Sequence, residues 1–310
     1  MASEILYPTG IAAVNAKDNL RVFFQSPTGQ IRQTEHSNGW KGGNIGTAIG
    51  TARYNTPLTA AATANLRDIH VFCLTSFNTI MQRTYSPQWG WFHGDINYSG
   101  IQVAPYSKLA AAYSLNDDDD LRIYAQKTDD TIQEWQWSLS GGWIKGDNLG
   151  KALPGTAITV TRYNSPSGPA IRVYVQHDNR DIVQKCYNTG KGWYDMDQVI
   201  VSKAPFRAAF AVTSFSNNRP DEISLRLYWV NSDGGFWQWC WGSSGFRDER
   251  KMEGPVLPAS QIAAISWDGT PDLRVYYQGG TNNAGITEWW YGQGAVTSVG
   301  KTGKNPLPPA

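Results

Sequence analysis

The chain has 310 residues, with 27 basic and 26 acidic side chains and a formal net charge of +1. This balance excludes electrostatic steering as a reason to expect nucleic acid or an anionic membrane as a partner. The 14 Trp, 15 Tyr and 31 Gly, against 4 Met and 4 His, are typical of many short strands joined by tight turns.

Neither end of the chain nor its interior predicts a targeting or membrane segment. The beginning, MASEILYPTG, has no basic region followed by an apolar one, so we expect no secretory signal, and the localisation stays open. No apolar run approaches the roughly 18 residues of a membrane span, so we expect no membrane insertion. The odd number of cysteines, Cys73, Cys186 and Cys240, predicts buried free thiols rather than disulfides.

Six hydrophobic strand patterns recur about every 50 residues, and each carries one basic residue at its second position. They are LRVFFQ from Leu20, IHVFCL from Ile69, LRIYAQ from Leu121, IRVYVQ from Ile171, LRLYWV from Leu225 and LRVYYQ from Leu273. The basic residues are Arg21, His70, Arg122, Arg172, Arg226 and Arg274. A period of this length built only of strand patterns is typical of propeller blades.

An acid or amide and then aromatic residues follow each basic residue at near-fixed distances. Gln33, Gln82, Glu134, Gln184 and Gln238 come twelve residues later, and Glu288 comes fourteen later. Three positions beyond the acid or amide stand His36, Tyr85, Trp137, Tyr187, Trp241 and Tyr291. A glycine-containing turn then leads to Trp40, Trp91, Trp143, Trp193 and Phe246, and the sixth repeat has no such residue. We interpret Trp237 and Trp267, outside these positions, as packing residues.

The repeats predict an all-β fold, a six-bladed β-propeller with four antiparallel strands per blade. A small apolar segment before each basic strand suits the crowded inner strand of a blade. We expect one domain over residues 1–310, with repeats at about 9–56, 57–107, 108–155, 156–205, 206–260 and 261–303 and a proline-rich tail at 304–310.

The strands of the form I/L-R-V-Y-x-Q, followed by I-x-E/Q-x-x-W/Y and G-x-W, resemble those of the fungal fucose-specific lectins. The likeness covers essentially the whole chain and includes LRIYAQK, TIQEWQW, LPGTAI and the ending LPPA. It implies a six-bladed propeller that is usually a homodimer, with fucose pockets in the clefts between neighbouring blades and fucosylated glycans as partners.

In the family's pattern, one blade supplies the basic residue and the acid or amide, and the next blade supplies the aromatic residues. The resemblance implies six clefts: Arg21 and Gln33 with Tyr85 and Trp91; His70 and Gln82 with Trp137 and Trp143; Arg122 and Glu134 with Tyr187 and Trp193; Arg172 and Gln184 with Trp241 and Phe246; Arg226 and Gln238 with Tyr291; and Arg274 and Glu288 with His36 and Trp40. We call these the first to sixth clefts.

The residue types fit a sugar independently of the resemblance. A planar guanidinium can donate to two adjacent hydroxyls, a carboxylate or amide oxygen can accept from them, and an indole can pack on the C–H face. His70 lacks the two-pronged donor, and an amide in place of an acid gives up the charge-assisted bond. We expect no metal or other cofactor.

Two other classes of propeller compete with a lectin. A glycoside hydrolase such as a sialidase or fucosidase needs two carboxylates at one bond, or converging arginines, whereas here the arginines are spread one per repeat and amides fill four of six acid positions. A protein-interaction propeller would carry Trp-Asp or double-glycine signatures in every blade, and neither recurs in all six repeats. Without the resemblance, the repeated basic residue and acid or amide could equally be a structural pair. With it, the sequence favours a non-enzymatic, multivalent agglutinin.

Overall fold

The computed structural model describes residues 5–42, 48–113, 120–216, 222–242, 245–267, 272–279, 285–292, 295–299 and 307. These residues form six antiparallel sheets, which we number in chain order. The chain divides into two compact units, residues 1–58 with 209–310 and residues 59–208. Sheets 1, 5 and 6 lie in the first unit and sheets 2, 3 and 4 in the second. The single domain expected from the sequence stays a prediction.

The first unit contains three sheets that each follow the chain order of their strands. Sheet 1 comprises β1 (Ala12–Ala16), β2 (Asn19–Gln25), β3 (Gln30–His36), β4 (Trp40–Gly42) and β5 (Gly50–Thr51), which pairs with β3. Sheet 5 comprises β18 (Phe210–Ser216), β19 (Ile223–Val230), β20 (Phe236–Gly242) and β21 (Gly245–Glu253). Sheet 6 comprises β22 (Ile262–Trp267), β23 (Asp272–Gln278), β24 (Ile286–Gly292) and β25 (Ala295–Val299).

The second unit repeats the arrangement. Sheet 2 comprises β6 (Thr59–Ala62), β7 (Ile69–Leu74), β8 (Ile80–Ser86) and β9 (Gly90–His93), followed by a short 3₁₀ helix, Asp95–Tyr98. Sheet 3 comprises β10 (Leu109–Tyr113), β11 (Leu121–Gln126), β12 (Thr131–Ser138) and β13 (Gly142–Lys151). Sheet 4 comprises β14 (Thr159–Ser165), β15 (Gly168–Gln176), β16 (Ile182–Asn188) and β17 (Gly192–Val201).

The second strand of each sheet is buried because sheets pack face to face within each unit. Every residue of β7 and of β11 is buried, which explains their near-continuous apolar sequence. In the second unit, apolar clusters join sheet 2 to sheet 3 and sheet 3 to sheet 4. In the first unit, they join sheet 5 to sheet 6 and sheet 6 to sheet 1. Leu307, the one described residue of the tail, is buried and pairs with Ile286 of sheet 6.

Four of the basic strands end in a glutamine. The side chain of each of these glutamines hydrogen-bonds the backbone of a segment that leads into the next strand or sheet. Gln126 is fully buried, and its Nε2 donates to the carbonyls of Asp130, Ala152 and Leu153 at 3.0–3.2 Å. Its Oε1 accepts from the backbone N–H of Gly155 at 2.9 Å. Gln25, Gln176 and Gln278 make comparable bonds to backbone groups. This residue of the repeated motif is therefore structural.

The three cysteines agree with the sequence. Cys73, Cys186 and Cys240 are buried and form no disulfide, which confirms the prediction. Within the described ranges, the structure has no helix of the length and apolarity that crossing a membrane requires.

We expect Gln126→Leu to lower the free energy of unfolding by about 2–4 kcal/mol, because three carbonyls and one buried N–H lose their partner. Urea unfolding followed by tryptophan fluorescence measures this change. The control is Gln102→Leu, since Gln102 is exposed and makes a single bond to the Phe77 carbonyl. An equal, small effect of both substitutions would contradict the structural role.

Candidate functional site

Strand register determines which residues surround each basic side chain. Gln136 lies directly opposite Arg122, whereas Glu134 lies opposite Tyr124. The acid or amide is thus diagonal to the basic residue and faces an aromatic ring two positions beyond it. The same register holds in all six sheets, where these aromatic residues are Phe23, Phe72, Tyr124, Tyr174, Tyr228 and Tyr276. The two extra residues before Glu288 lie in the turn, since Glu288 still faces Tyr276.

The third cleft, between sheets 3 and 4, holds a guanidinium in a fixed position. Arg122 donates from Nη1 to Glu134 at 3.0 Å and from Nε to Asp120 at 3.1 Å. Its Cζ lies 4.9 Å from the centre of the Tyr187 ring, which belongs to sheet 4. The structure therefore brings together Arg122, Glu134 and Tyr187, as the sequence predicts.

Glu134 is completely buried and receives several hydrogen bonds. Besides Arg122, its oxygens accept from Tyr124 Oη at 2.8 Å and from Gln136 Nε2 at 2.7 Å. A Cβ on Gly146 would come within 2.6 Å of Glu134 Oε2, so only glycine allows the outer strand to approach this carboxylate. Glu134 is therefore a satisfied and immobile acceptor.

Asp120 links the arginine of sheet 3 to a second arginine from sheet 4. Arg162, with a side chain only 4% exposed, donates from Nη2 to Asp120 Oδ2 at 2.9 Å and from Nη1 to the Asp120 carbonyl at 3.1 Å. Burial alone would raise the pKa of Asp120, but Arg162 and Arg122 together lower it. The carboxylate is thus an anion that fixes the plane of Arg122 and is itself held by Arg162 from across the cleft.

The indole of sheet 4 completes the third cleft. Trp193 packs edge-on against Tyr124 of sheet 3, with ring centres 6.2 Å apart and planes at 85°. Trp193 also contacts its cross-strand neighbour Tyr187 at 5.5 Å. Its Nε1 is buried and has no hydrogen-bond partner in the structure. Such an atom is an unused donor next to the Arg122–Glu134 pair.

The sixth cleft, between sheets 6 and 1, repeats the indole contact but arranges its arginine differently. Trp40 packs edge-on against Tyr276 at 6.2 Å and 85°, and its side chain hydrogen-bonds Glu288. Burial raises the pKa of Glu288, although Arg274 opposes the shift. Tyr276 Oη donates to Glu288 Oε2 at 2.9 Å, and Arg274 Nε lies 3.6 Å from the same oxygen.

Arg274 also lies between two indoles of its own sheet and pairs with a second carboxylate. Its Cζ is 4.9 Å from the Trp267 ring centre and 4.2 Å from that of Trp290, and Nη1 contacts Asp272. The sequence interpretation of Trp267 as a packing residue misses this contact. His36 contacts Trp40 at 5.4 Å, and its Nδ1 lies 3.0 Å from the Asp18 carbonyl.

The second cleft, between sheets 2 and 3, has the same indole contact and an uncharged polar pair. Trp143 packs edge-on against Phe72, at 6.0 Å and 89°. His70 Nδ1 lies 2.7 Å from Gln82 Nε2, and burial lowers the pKa of His70 to about 4. Trp137 Nε1 donates to Asp95 Oδ2 at 3.2 Å.

The fifth cleft, between sheets 5 and 6, lacks the second aromatic residue. Arg226 donates to the carbonyls of Leu225 and Trp241, and its Cζ lies 5.1 Å from the Phe215 ring centre in its own sheet. Gln238 Nε2 contacts Cys240 Sγ at 2.7 Å. Tyr291 packs on the apolar cluster between the sheets.

The sequence assigns residues of both units to the first cleft and to the fourth, so we describe each of these side chains within its own sheet. Arg172 donates to the Tyr187 carbonyl and to Asn188 Oδ1, while Tyr174 Oη donates to Gln184 at 2.6 Å. Trp241 lies opposite Phe246 in register, and the Phe246 side chain lies outside the described part of the structure.

In sheet 1, the arginine pairs with an acid that is not among the predicted cleft residues. Arg21 Nε pairs with Glu35 at 3.3 Å, because Glu35 lies directly opposite, and Nη1 donates to Asn19 at 2.6 Å. Gln33 Oε1 is buried without a hydrogen-bond partner. In sheet 2, the predicted aromatic pair Tyr85 and Trp91 is in contact at 5.5 Å.

The acid position correlates with where each arginine points. Arg122 and Arg274 contact Glu134 and Glu288, the two sheets with a carboxylate there. Where an amide replaces it, the guanidinium bonds to other groups, mostly carbonyls and side chains of its own sheet. The physical reason is that a carboxylate attracts the guanidinium more strongly than an amide oxygen does.

Several functional candidates escape the sequence pattern. Tyr124, Tyr174 and Tyr276 each donate to the acid or amide, and Asp120 with Arg162 fixes Arg122. The recurrent tyrosine two positions beyond the arginine is a signal that could have identified the first group. No other repeat has a basic residue at the position of Arg162, so the periodicity of the sequence does not identify it. Among the described residues, no three His, Cys, Asp or Glu side chains are grouped to hold a metal ion.

The fold and the repeated clefts define a class of protein when they are compared with known ones. A SapL1 lectin structure in complex with alpha methyl fucoside aligns with a TM-score of 0.87 at 32% identity and covers 99% of both chains. The lectin of Aleuria aurantia, described as a six-bladed β-propeller, aligns with a TM-score of 0.80 at 23% identity and 99% coverage of both chains. The fold is a six-bladed β-propeller with blades of four antiparallel strands, as the sequence predicts, and the first blade carries the short β5 in addition.

Sequence comparisons then give the family. The profile of the family described as Fungal fucose-specific lectin matches residues 5–310. A fucose-specific lectin of Aspergillus oryzae is 43% identical over 100% of this chain and 98% of its own length. One of Aspergillus fumigatus is 41% identical over 100% and 98%. The chain belongs to the fungal fucose-specific lectin family, which is not a family of enzymes.

We expect the imidazole of His70 to titrate near pH 4, because burial disfavours its charged form. Two-dimensional ¹H–¹⁵N spectra of the histidine side chains measure this directly. An unfolded histidine has a pKa of about 6.5, so the unfolded chain binds a proton that the native chain does not between that pH and about 4. Stability should therefore fall as pH falls through this window, less steeply in His70→Phe. Titration of His70 near 6.5 would contradict its burial.

Proposed function

We propose that the protein is a multivalent, non-catalytic lectin that binds L-fucose on fucosylated glycans in the clefts between neighbouring blades. The observation that carries the proposal is the indole packed edge-on against an aromatic ring of the preceding sheet, next to the basic residue and the acid or amide, in the second, third and sixth clefts. Membership of the family supports the ligand class.

The third cleft offers the most complete set of groups for a pyranose. Arg122 is anchored through Nε and Nη1, which leaves the Nη2 side of its fork for sugar oxygens. Glu134 holds Arg122 in this orientation, and Trp193 adds an indole N–H and an apolar face. A ring with adjacent hydroxyls and a methyl group matches this combination of donors and apolar wall.

The geometry of the third cleft gives no support to hydrolysis. A glycosidase needs a carboxyl group that gives up a proton near neutral pH, hence one with a raised pKa. In the third cleft, the pKa of Asp120 is lowered, and Glu134 is held by Arg122 and Tyr124. Both carboxylates therefore serve to position other groups.

We propose that the binding residues are those assigned above to the six clefts, and that the clefts differ in affinity. We propose the third cleft as the pre-organised pocket and the fifth as the weakest, since it lacks the second aromatic residue. One monosaccharide makes few contacts, so each pocket should bind in the micromolar range or weaker, and several pockets on one chain supply avidity. We also propose a homodimer, for which the family resemblance is the support.

We expect Arg122→Met combined with Glu134→Gln to remove one binding site while the others remain. The pair of substitutions removes both charges and nearly conserves volume, so it leaves no unpaired buried charge. Calorimetric titration with methyl α-L-fucoside counts the sites per chain. The control is Arg67→Met, because Arg67 is exposed on a turn.

A full complement of sites in the double variant would contradict the assignment of the third cleft, and no heat with the unaltered protein would contradict the lectin itself. Release of nitrophenol from fucosyl or sialyl nitrophenyl glycosides would instead favour the hydrolase.

We expect Arg162→Leu to weaken methyl fucoside binding at the third cleft by about tenfold, because Asp120 then holds Arg122 without support from sheet 4. The shift of the Trp193 indole N–H during an NMR titration reports this site alone. Arg162→Lys should recover part of the affinity, since it restores the charge, whereas a merely structural role predicts equal losses at every site.

A further inference from the structure

The second cleft contains three buried polar atoms without a hydrogen-bond partner in the structure. They are Nε2 of His70, Oε1 of Gln82 and Nε1 of Trp143. His70 is 8% exposed and Gln82 is 4% exposed. Leaving a buried donor or acceptor unsatisfied is unfavourable, so three such atoms in one cleft indicate groups that a polar ligand would satisfy.

The protonation state of each group follows from its contacts. The Gln82 amide nitrogen can only donate, so His70 Nδ1 accepts its hydrogen at 2.7 Å. In a neutral imidazole the proton then lies on Nε2, which makes Nε2 a donor. The cleft thus presents two donors, His70 and Trp143, and one acceptor, Gln82 Oε1.

Gln82 has a free acceptor because two neighbours differ from those in the third cleft. Phe72 stands where Tyr124 stands and has no hydroxyl to donate, and Thr84 replaces Gln136 and bonds to His70 instead. Gly94 leaves room for the amide, since a Cβ there would come within 2.3 Å of Gln82 Cδ. The acceptor has no hydrogen-bond partner from the protein in the structure.

We propose that the second cleft is an uncharged sugar subsite that grips one hydroxyl where the arginine clefts grip two, and that it accepts fucosides lacking one of the ring hydroxyls. This rests on the proposed function. An imidazole has one N–H to offer, whereas a guanidinium fork that loses one of two hydroxyl partners is left with a buried unpaired N–H. The second cleft therefore discriminates less among pyranosides.

The test is an NMR titration with the 2-, 3- and 4-deoxy analogues of methyl α-L-fucoside. The indole N–H signals of Trp143 and Trp193 report binding at the second and third clefts, and Trp→Phe variants assign these signals. With at least one analogue, the affinity reported by Trp143 should stay within about tenfold of that for methyl fucoside. The same analogue should lose about 10- to 100-fold at Trp193.

Two substitutions at one position make the result specific. His70→Phe should abolish the Trp143 response and leave the Trp193 response intact, which also shows that the variant is folded. His70→Arg should raise the affinity for methyl fucoside at Trp143 and remove the tolerance of the deoxy analogue. Loss of binding of all three analogues at Trp143, or a His70→Phe variant that still binds them, would overturn the proposal. Absence of any methyl fucoside response at Trp193 would overturn the proposed function instead.

Discussion

The contact on which the candidate clefts depend is an indole of one sheet packed edge-on against an aromatic ring of the preceding sheet. The ring centres lie 6.0–6.2 Å apart with planes at 85–89° in the second, third and sixth clefts. This geometry is the favourable one for two aromatic rings and buries both. Because it fixes the spacing of two sheets at one point, the polar residues nearby face the same space in each of these clefts.

The charge of the acid or amide residue correlates with the group that each arginine contacts. Where a carboxylate faces the tyrosine, as Glu134 and Glu288 do, the arginine contacts it. Where an amide stands there, the arginine turns to carbonyls or to another acid, as Arg172 and Arg21 do. The backbone register is the same in all sheets, so the difference arises from the side chain alone. Clefts with the same backbone register therefore differ in the contacts that their arginines make.

The sequence predicts the fold well because strand periodicity and a 50-residue repeat are properties of the backbone pattern. The two aromatic positions of a repeat, such as Tyr187 and Trp193, fall opposite one another across a hairpin, and their part in a binding site stays a prediction. The sequence fails where a contact depends on one residue without a periodic counterpart. The bridge from Arg162 through Asp120 to Arg122 is such a case.

Other contacts also leave no periodic signal. The sequence assigns Arg21 and Gln33 to one cleft, and it does not indicate that Glu35, directly opposite Arg21 in register, pairs with this arginine. Likewise, the glutamine at the end of the basic strand is part of the repeated motif, but its partners are backbone groups far along the chain. Such bonds leave no mark in the periodicity of side-chain types.

The second and third clefts represent two energetic routes to binding the same class of ligand. In the third, Glu134 and Arg122 already satisfy one another, so a ligand finds a rigid site and little ordering is needed. In the second, His70, Gln82 and Trp143 each keep a polar atom unsatisfied in the structure, which costs stability that a ligand restores. The rigid groups of the third cleft limit which sugars bind there. In the second cleft, any hydroxyl that reaches an unpaired neutral group forms a favourable hydrogen bond. A chain that carries both kinds of site can combine a selective site with one that accepts more sugars. On a dense glycan surface, multivalency lets the weaker sites contribute to the overall avidity.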